Sequence, residues 1–485
     1  MTQTATKLVT QITLAASFGG LLFGYDTAVI SGAISSIDQY FIAPQALGET
    51  AGNSLLGFTV SSALFGCIIG AVVAGWLSNK LGRRKTLIIA ALLFIMSAIG
   101  SALPEIGFGA IGQMGPDALK IFTFYRVIGG IGIGIASMVS PLYIAEVAPG
   151  HLRGRLVSYN QMAIVTGIVL VYFVNWFIAK QGDSSWLNDI GWRLMFASEM
   201  IPATLFLILL LPLPDSPRWL VLKDRKDEAL SLLHKLEGEQ QAPHTLADIQ
   251  SSLIEHTRPL FSFGIALIVI GVVLSILQQA VGINAVLYYA PSIFENMGFS
   301  EQSALLQTVL VGVVNMVATV IAINTVDRVG RKPLLIIGGI TMALAMAALA
   351  TCFQINALGF AALLAMLLYI AGFAMSWGPV TWVLLSEIFP TSIRGKALSI
   401  AVAGQWLANI AVSWSFKVLD GNSFLIAEFN HGFAYWLYSG IAILAAFFVY
   451  RFIPETKGRT LEEIEQIWSK ERTVDNDGLD VREAT

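Results

Sequence analysis

Twelve separate stretches of this sequence are each long and apolar enough to cross a bilayer, which takes about 20 mostly apolar residues as a helix. They lie near residues 10–33, 54–78, 86–104, 121–146, 157–179, 194–213, 260–290, 304–326, 333–354, 359–388, 397–416 and 432–453, and are called spans 1 to 12. Lipid offers the backbone no hydrogen-bond partner, so open strands and irregular chain cannot face it, and helices are predicted. Composition agrees. Of 485 residues, 55% are hydrophobic and 13% charged, against about 25% charged in soluble domains. So few charges cannot cover a water-facing surface, which excludes a soluble enzyme and a disordered chain. The net charge of −3 leaves no basic footprint for nucleic acid. Cys67 and Cys352 both sit inside apolar runs, so a disulfide framework and a cysteine metal site are not expected.

Lysine and arginine placement predicts the orientation. With the N-terminus inside, all but five of the 29 basic residues fall in cytoplasmic segments; the five are Lys120, Arg126, Lys180, Arg193 and Lys417. Both termini are then cytoplasmic. The opening apolar run is span-length and reads as the first helix rather than a cleaved leader. A hydrophilic stretch separates six spans from six, and DRKDEALSLLHKLEG within it has helical spacing. The expected organisation is a six-helix bundle over 1–213, a cytoplasmic linker with short helices over 214–258, a second bundle over 259–468, and a disordered tail over 469–485.

The halves echo each other. NKLGRRK after span 2 matches DRVGRKP after span 8, EVAPGHLR after span 4 matches EIFPTSIR after span 10, and PDSPRWL after span 6 matches PETKGRTL after span 12. Three matches in order at a nearly constant offset indicate a parallel duplication, as in transporters that rock one half against the other around a midplane site. In these loops Glu146, Arg153, Glu387 and Arg394 recur with Arg83 and Arg331. Such pairs suggest a cytoplasmic latch between the halves, made and broken as they move.

The ordered set GRR, EVAPGHLRG, PDSPRWL, QQAVGINAVLYYAP, DRVGRKP, WGPVTWVLLSEIFP, RG and PETKGRT resembles the sugar porter family of the major facilitator superfamily, from about residue 10 to 468. The resemblance implies an all-α fold of twelve transmembrane helices in two pseudo-symmetric six-helix bundles. It implies a monosaccharide carried with a proton by alternating access, D-xylose ahead of D-glucose, in the bacterial inner membrane. The alternatives are an uncoupled sugar uniporter and a sugar sensor that does not transport. A monomer without metal or cofactor is expected, and no nucleophile–base set suggests an enzyme.

Polar side chains at membrane depth are costly and are functional candidates by default. Sugars call for amides that do not ionise and aromatic faces for the C–H surface of the ring. The resemblance implies sugar contact for Gln161, Gln278, Gln279, Asn284, Trp382 and Gln405, with Phe23, Tyr288, Asn315, Gly378 and Trp406 as further candidates. On an unbroken helix Gln279 and Asn284 would lie about 140° apart, so a break at Gly282 is expected. Gly378-Pro379 predicts a kink in span 10. Xylose-carrying members of the family have a second glutamine where this chain has Ile168, a position that glucose facilitators commonly fill with isoleucine. Asp26 in span 1 is a carboxylate at membrane depth and suits proton binding, with Arg126 of span 4 as its partner and Glu199 of span 6 as an exchange partner for Arg126. Proton-coupled members carry Asp at the position of Asp26, where facilitators tend to have Asn.

Overall fold

The computed structural model describes residues 3–148, 153–254, 259–390 and 393–457, without the side chains of residues 3–6, 153–155, 252–254 and 327. All twelve predicted spans are helices: Lys7–Gln45, Glu49–Leu81, Arg83–Ala102, Gly115–Val147, Leu156–Ala179, Ser184–Leu210, Ile265–Tyr288, Glu301–Val326, Arg331–Gln354, Phe360–Ile388, Arg394–Asp420 and Phe433–Phe452. The predicted tail, 469–485, lies outside the described residues.

Two spans run well past their apolar windows. Span 1 continues through 3-10, α and π turns to Gln45, because Ile34, Ile37, Phe41 and Ile42 keep a buried face on that segment. Span 6 starts early, at Ser184, where the Asp183 side chain accepts from the Trp186 N–H at 2.9 Å and caps the first turn. Hydropathy windows miss both extensions, since caps and mixed turns are polar.

Within the first half, spans 2 and 4 press backbone against backbone. A Cβ on Gly66 would strike the Val127 carbonyl, and one on Gly130 would strike that of Ala63. Close approach through small residues is how membrane helices gain packing where lipid gives no hydrophobic drive. Spans 3 and 9, nearly free of large polar side chains, show Leu92, Met96, Ile337 and Leu344 outward, as do spans 6 and 12 with Ile201, Ile208, Ile443 and Phe447.

The linker forms three helices, Pro217–Leu222, Lys226–Glu237 and Ala242–Ile254. The second buries Ala229, Leu232, Leu233 and Leu236, one stripe at helical spacing. Trp219 Nε1 donates to the Asn79 carbonyl at 3.1 Å, so the linker rests on the first half.

The halves are joined at the end of the molecule away from the linker. There Asn53 donates to the Gly421 carbonyl at 3.1 Å, Trp414 Nε1 to Ser54 at 3.1 Å, and the Ser423 N–H to Glu49. Ser184 donates to Glu301 at 2.7 Å, and Tyr172 to the Leu287 carbonyl, also at 2.7 Å.

Candidate functional site

Span 7 is broken where the sequence expects it. One helix runs Ile265–Ala280 and the next Ile283–Tyr288, with Gly282 between them at φ 95°. That left-handed turn suits glycine, and the Tyr438 ring fills the space a Cβ would take. The turn swings Asn284 back onto Gln279, and Asn284 Nδ2 donates to Gln279 Oε1 at 2.6 Å. Gln278 Oε1 accepts from Gln279 Nε2 at 2.8 Å and from Gln405 Nε2 of span 11 at 2.6 Å. Gln278 Nε2 donates to the Trp377 carbonyl at 3.3 Å. Four of the sequence candidates thus form one amide cluster. Gln405 Oε1 is buried in it without a partner among the described residues.

Around the cluster, Phe23 of span 1 and Trp406 of span 11 bring their rings to 5.8 Å across the two halves. Tyr288 is buried and hydrogen-bonded to Asn409. Asn315 and Ile168 are buried, Gln161 is half-buried, and Trp382 stays 37% exposed. The break in span 10 lies earlier than Gly378-Pro379. The helix Phe360–Met375 stops at Ser376 (φ −135°, ψ −86°), and a new one starts at Trp377. Pro379 has no N–H for the Met375 carbonyl and its ring would collide with it, so the ladder opens one turn before the proline.

A second cluster lies in the first half. Arg126 Nη1 binds Asp26 Oδ1, and Nη2 donates to the Asp26 carbonyl at 3.0 Å. Both side chains are buried, and the guanidinium sits 5.4 Å from the centre of the Phe196 ring. Glu199 is wholly buried within electrostatic reach of both, and neither carboxyl oxygen has a partner among the described residues. The residues flanking these acids are also linked, Tyr25 to Ser198 at 2.7 Å. Sequence reading passed over that pair, although each is the chain neighbour of a chosen carboxylate.

In this conformation the described latch charges pair within their own halves. Arg83 binds Glu146 through two bonds of 2.8 Å, and Arg331 binds Glu387 at 2.9 and 3.2 Å. Each pair lies within its own half, so neither ties one half to the other. Arg394 Nε donates to the Phe389 carbonyl at 3.1 Å, again within its half. The Arg153 side chain lies outside the described residues. What holds these pairs was also missed. Ser216 donates to Glu146 and Thr456 to Glu387, while Asp215 accepts from the Arg84 N–H and Glu455 from those of Arg331 and Lys332. Asp215 and Glu455 therefore cap the first turns of spans 3 and 9, where a helix presents unpaired N–H groups and positive potential. The repeated PDS and PET motifs carried that signal.

Residues 12–468 match the family described as "Sugar (and other) transporter". The chain belongs to this family. It is 56% identical to the D-xylose-proton symporter of Escherichia coli over 97% of this chain and 98% of that one. It is 48% identical to the glucose facilitated diffusion protein of Zymomonas mobilis over 96% and 98%. The fold superposes on the inward-open conformation of the xylose transporter XylE from E. coli with a TM-score of 0.86 at 55% identity, covering 95% of this chain and all of that one. The sugar transporter is thus a multi-pass membrane protein of twelve helices with the major facilitator architecture.

Proposed function

We propose that this sugar transporter moves a monosaccharide together with a proton, D-xylose ahead of D-glucose, across a bacterial inner membrane with both termini in the cytoplasm. The observation that carries the reading is the buried Asp26–Arg126 ion pair beside Glu199, whose carboxyl oxygens have no hydrogen-bond partner among the described residues. Burying ionised groups is expensive unless they are paired. A proton on Asp26 neutralises one member of the pair and frees Arg126 to turn to Glu199. Spans 1 and 4, held together by that pair, are then released to move. Sugar hydroxyls replace the amide–amide bonds of Gln278, Gln279, Asn284 and Gln405, Gln405 Oε1 already being short of a donor. Phe23 and Trp406 close on the ring from opposite halves. With cytoplasmic termini, the end at which the halves are joined faces outside, and the arrangement is the inward-facing one.

The sites lie within one chain, so a monomer suffices. The two halves and the 214–258 linker are proposed as the working units. These residue roles, and the exchange of loop charges between halves during the cycle, belong to the same proposal. Names of relatives support the substrate: one is a D-xylose-proton symporter and one a glucose facilitated diffusion protein. A second reading, facilitated diffusion of glucose without a proton, is favoured by Ile168. Its buried apolar side chain stands where the resemblance to xylose carriers calls for an amide, and it suits the extra methylene group of a hexose.

Purified protein in tight proteoliposomes with dilute buffer tests both readings. D-xylose or D-glucose is added, and external pH is followed beside uptake of labelled sugar. External alkalinisation that accompanies uptake and disappears in Asp26→Asn is the expected result. Uptake of either sugar without a pH change removes the proton from the mechanism and leaves the uniporter. Binding without uptake leaves the sensor.

A further inference from the structure

Asp26 offers two carboxyl oxygens, and Arg126 takes one. Oδ2 is buried with no partner among the described residues. Ser97 of span 3 is equally buried, and its hydroxyl also has none. Both atoms lie against Gly129 of span 4: a Cβ built on that glycine would collide with Ser97 Oγ and Asp26 Oδ2 together. The bare backbone of Gly129 is what allows a hydroxyl from span 3 to approach a carboxylate on span 1. Buried helix hydroxyls commonly donate to a carbonyl three or four residues back, as Ser61, Ser62 and Thr308 do in this chain. Ser97 does not, so its proton is available.

The geometry points to Ser97 as a positioning residue of the proton site, whose hydroxyl turns onto Asp26 Oδ2 and holds the carboxylate in its ionised form. This deepens the symport reading and rests on Asp26 carrying the proton. The other groups facing Asp26 are Arg126 from span 4, Glu199 from span 6, Cys67 from span 2 and Tyr288 from span 7. Arg126 already engages Oδ1, Glu199 repels the carboxylate, Cys67 offers only a weak S–H donor, and Tyr288 is already hydrogen-bonded to Asn409. Ser97 is the neutral donor placed at the free oxygen. A hydrogen bond to a carboxylate favours the deprotonated state, so Ser97 would set the pH at which the transporter takes its proton. Lost, it lets the proton bind at higher pH.

The test is sugar uptake into proteoliposomes across a pH series, with sugar exchange at fixed pH measured in parallel to show that each variant still binds and moves. In Ser97→Ala the half-maximal pH of proton-driven uptake should rise by about one unit, since a bond to a charged group contributes about 1.5 kcal/mol or more and one pH unit corresponds to 1.36 kcal/mol. Ser97→Thr, which keeps the hydroxyl, should restore the original midpoint. A midpoint that does not move in Ser97→Ala overturns the proposal. If that variant loses exchange, Ser97→Cys replaces it, being near in size with a weak S–H donor; it should give a smaller upward shift, and no shift overturns the proposal equally. Asp26→Asn separates the two claims. If it still accumulates sugar with a pH-dependent midpoint, the symport reading of Asp26 fails whatever Ser97 does.

Discussion

Gln278 Oε1 receives two N–H donors, from Gln279 and from Gln405, and so joins span 7 to span 11 at a single atom. Gln278→Ala strands both donors. With each neutral bond contributing about 1 kcal/mol, sugar affinity should fall about tenfold or more, as read by calorimetric titration of the purified protein. Ile168 makes the opposite kind of prediction. Ile168→Gln adds one amide to a buried apolar wall, and one bond is again about 1 kcal/mol. The ratio of D-xylose to D-glucose affinity should rise about fivefold, measured by competition for labelled sugar. At this scale the sequence was informative where polarity and depth coincide: Asp26, Arg126 and the span 7 amides stand out against apolar neighbours. It was silent about Ser97, because a serine in a membrane helix ordinarily satisfies itself on its own backbone. Only the bare side of Gly129 shows that this one does not.

Helices are shaped in this chain by single backbone features. Gly282 holds φ 95° against the Tyr438 ring. Gly282→Ala adds a strained left-handed residue, about 1–2 kcal/mol, and a collision, so both melting temperature and sugar binding should drop. The loop pairs act on elements too. Arg83 and Glu146 are each 5% exposed. Glu146→Gln leaves a buried guanidinium short of its counter-charge, a change that costs about 3 kcal/mol in comparable buried pairs. It should lower the melting temperature more than Glu228→Gln, whose pair with Arg225 is open to water.

Where spans 11 and 12 meet, His431 bonds Asp420 at 3.0 Å, and Asn296 donates to the same carboxylate at 3.2 Å. The hydrogen bond to Asp420 raises the His431 imidazole above its usual range, against the opposing effect of burial. The raised value means that this contribution to stability is fully present below the ordinary imidazole range. It is lost as pH rises through the shifted value. The melting temperature should therefore be higher near about pH 5.5 than near about pH 8.5, and His431→Gln should shrink the difference. The break in span 10 was legible only to within a turn. Proline marks the residue it occupies, but the carbonyl it offends lies four residues earlier.

At the scale of the molecule, the hydrogen bonds between the halves gather at one end among the described residues. Gly57 lies in that seam, and a Cβ there would press on the Trp414 carbonyl. Gly57→Phe cannot fit the seam when it is shut. Uptake should be lost while binding of sugar added from that side persists, a split that equilibrium binding and flux measured together would expose. Twelve helices and their duplication were legible because span length and repeated loop motifs are local properties of the chain. Which carboxylate meets which arginine was not. Glu146, Arg153, Glu387 and Arg394 recur symmetrically, and symmetry alone cannot distinguish pairing within a half from pairing across halves. The 2.8 Å bonds from Arg83 to Glu146 show pairing within the half for that pair in this conformation.

The charged residues proposed for the proton and the amides proposed for the sugar come from different halves. Asp26, Arg126, Glu199 and Ser97 all come from the first six helices, whereas Gln278, Gln279, Asn284 and Gln405 all come from the last six, and each half ties its own loop charges without borrowing. A chimera that grafts the first half of this chain onto the second half of an uncoupled relative should therefore assemble, inherit its driving ion and the xylose-against-glucose choice at Ile168 from the first parent, and take its amide cluster from the other.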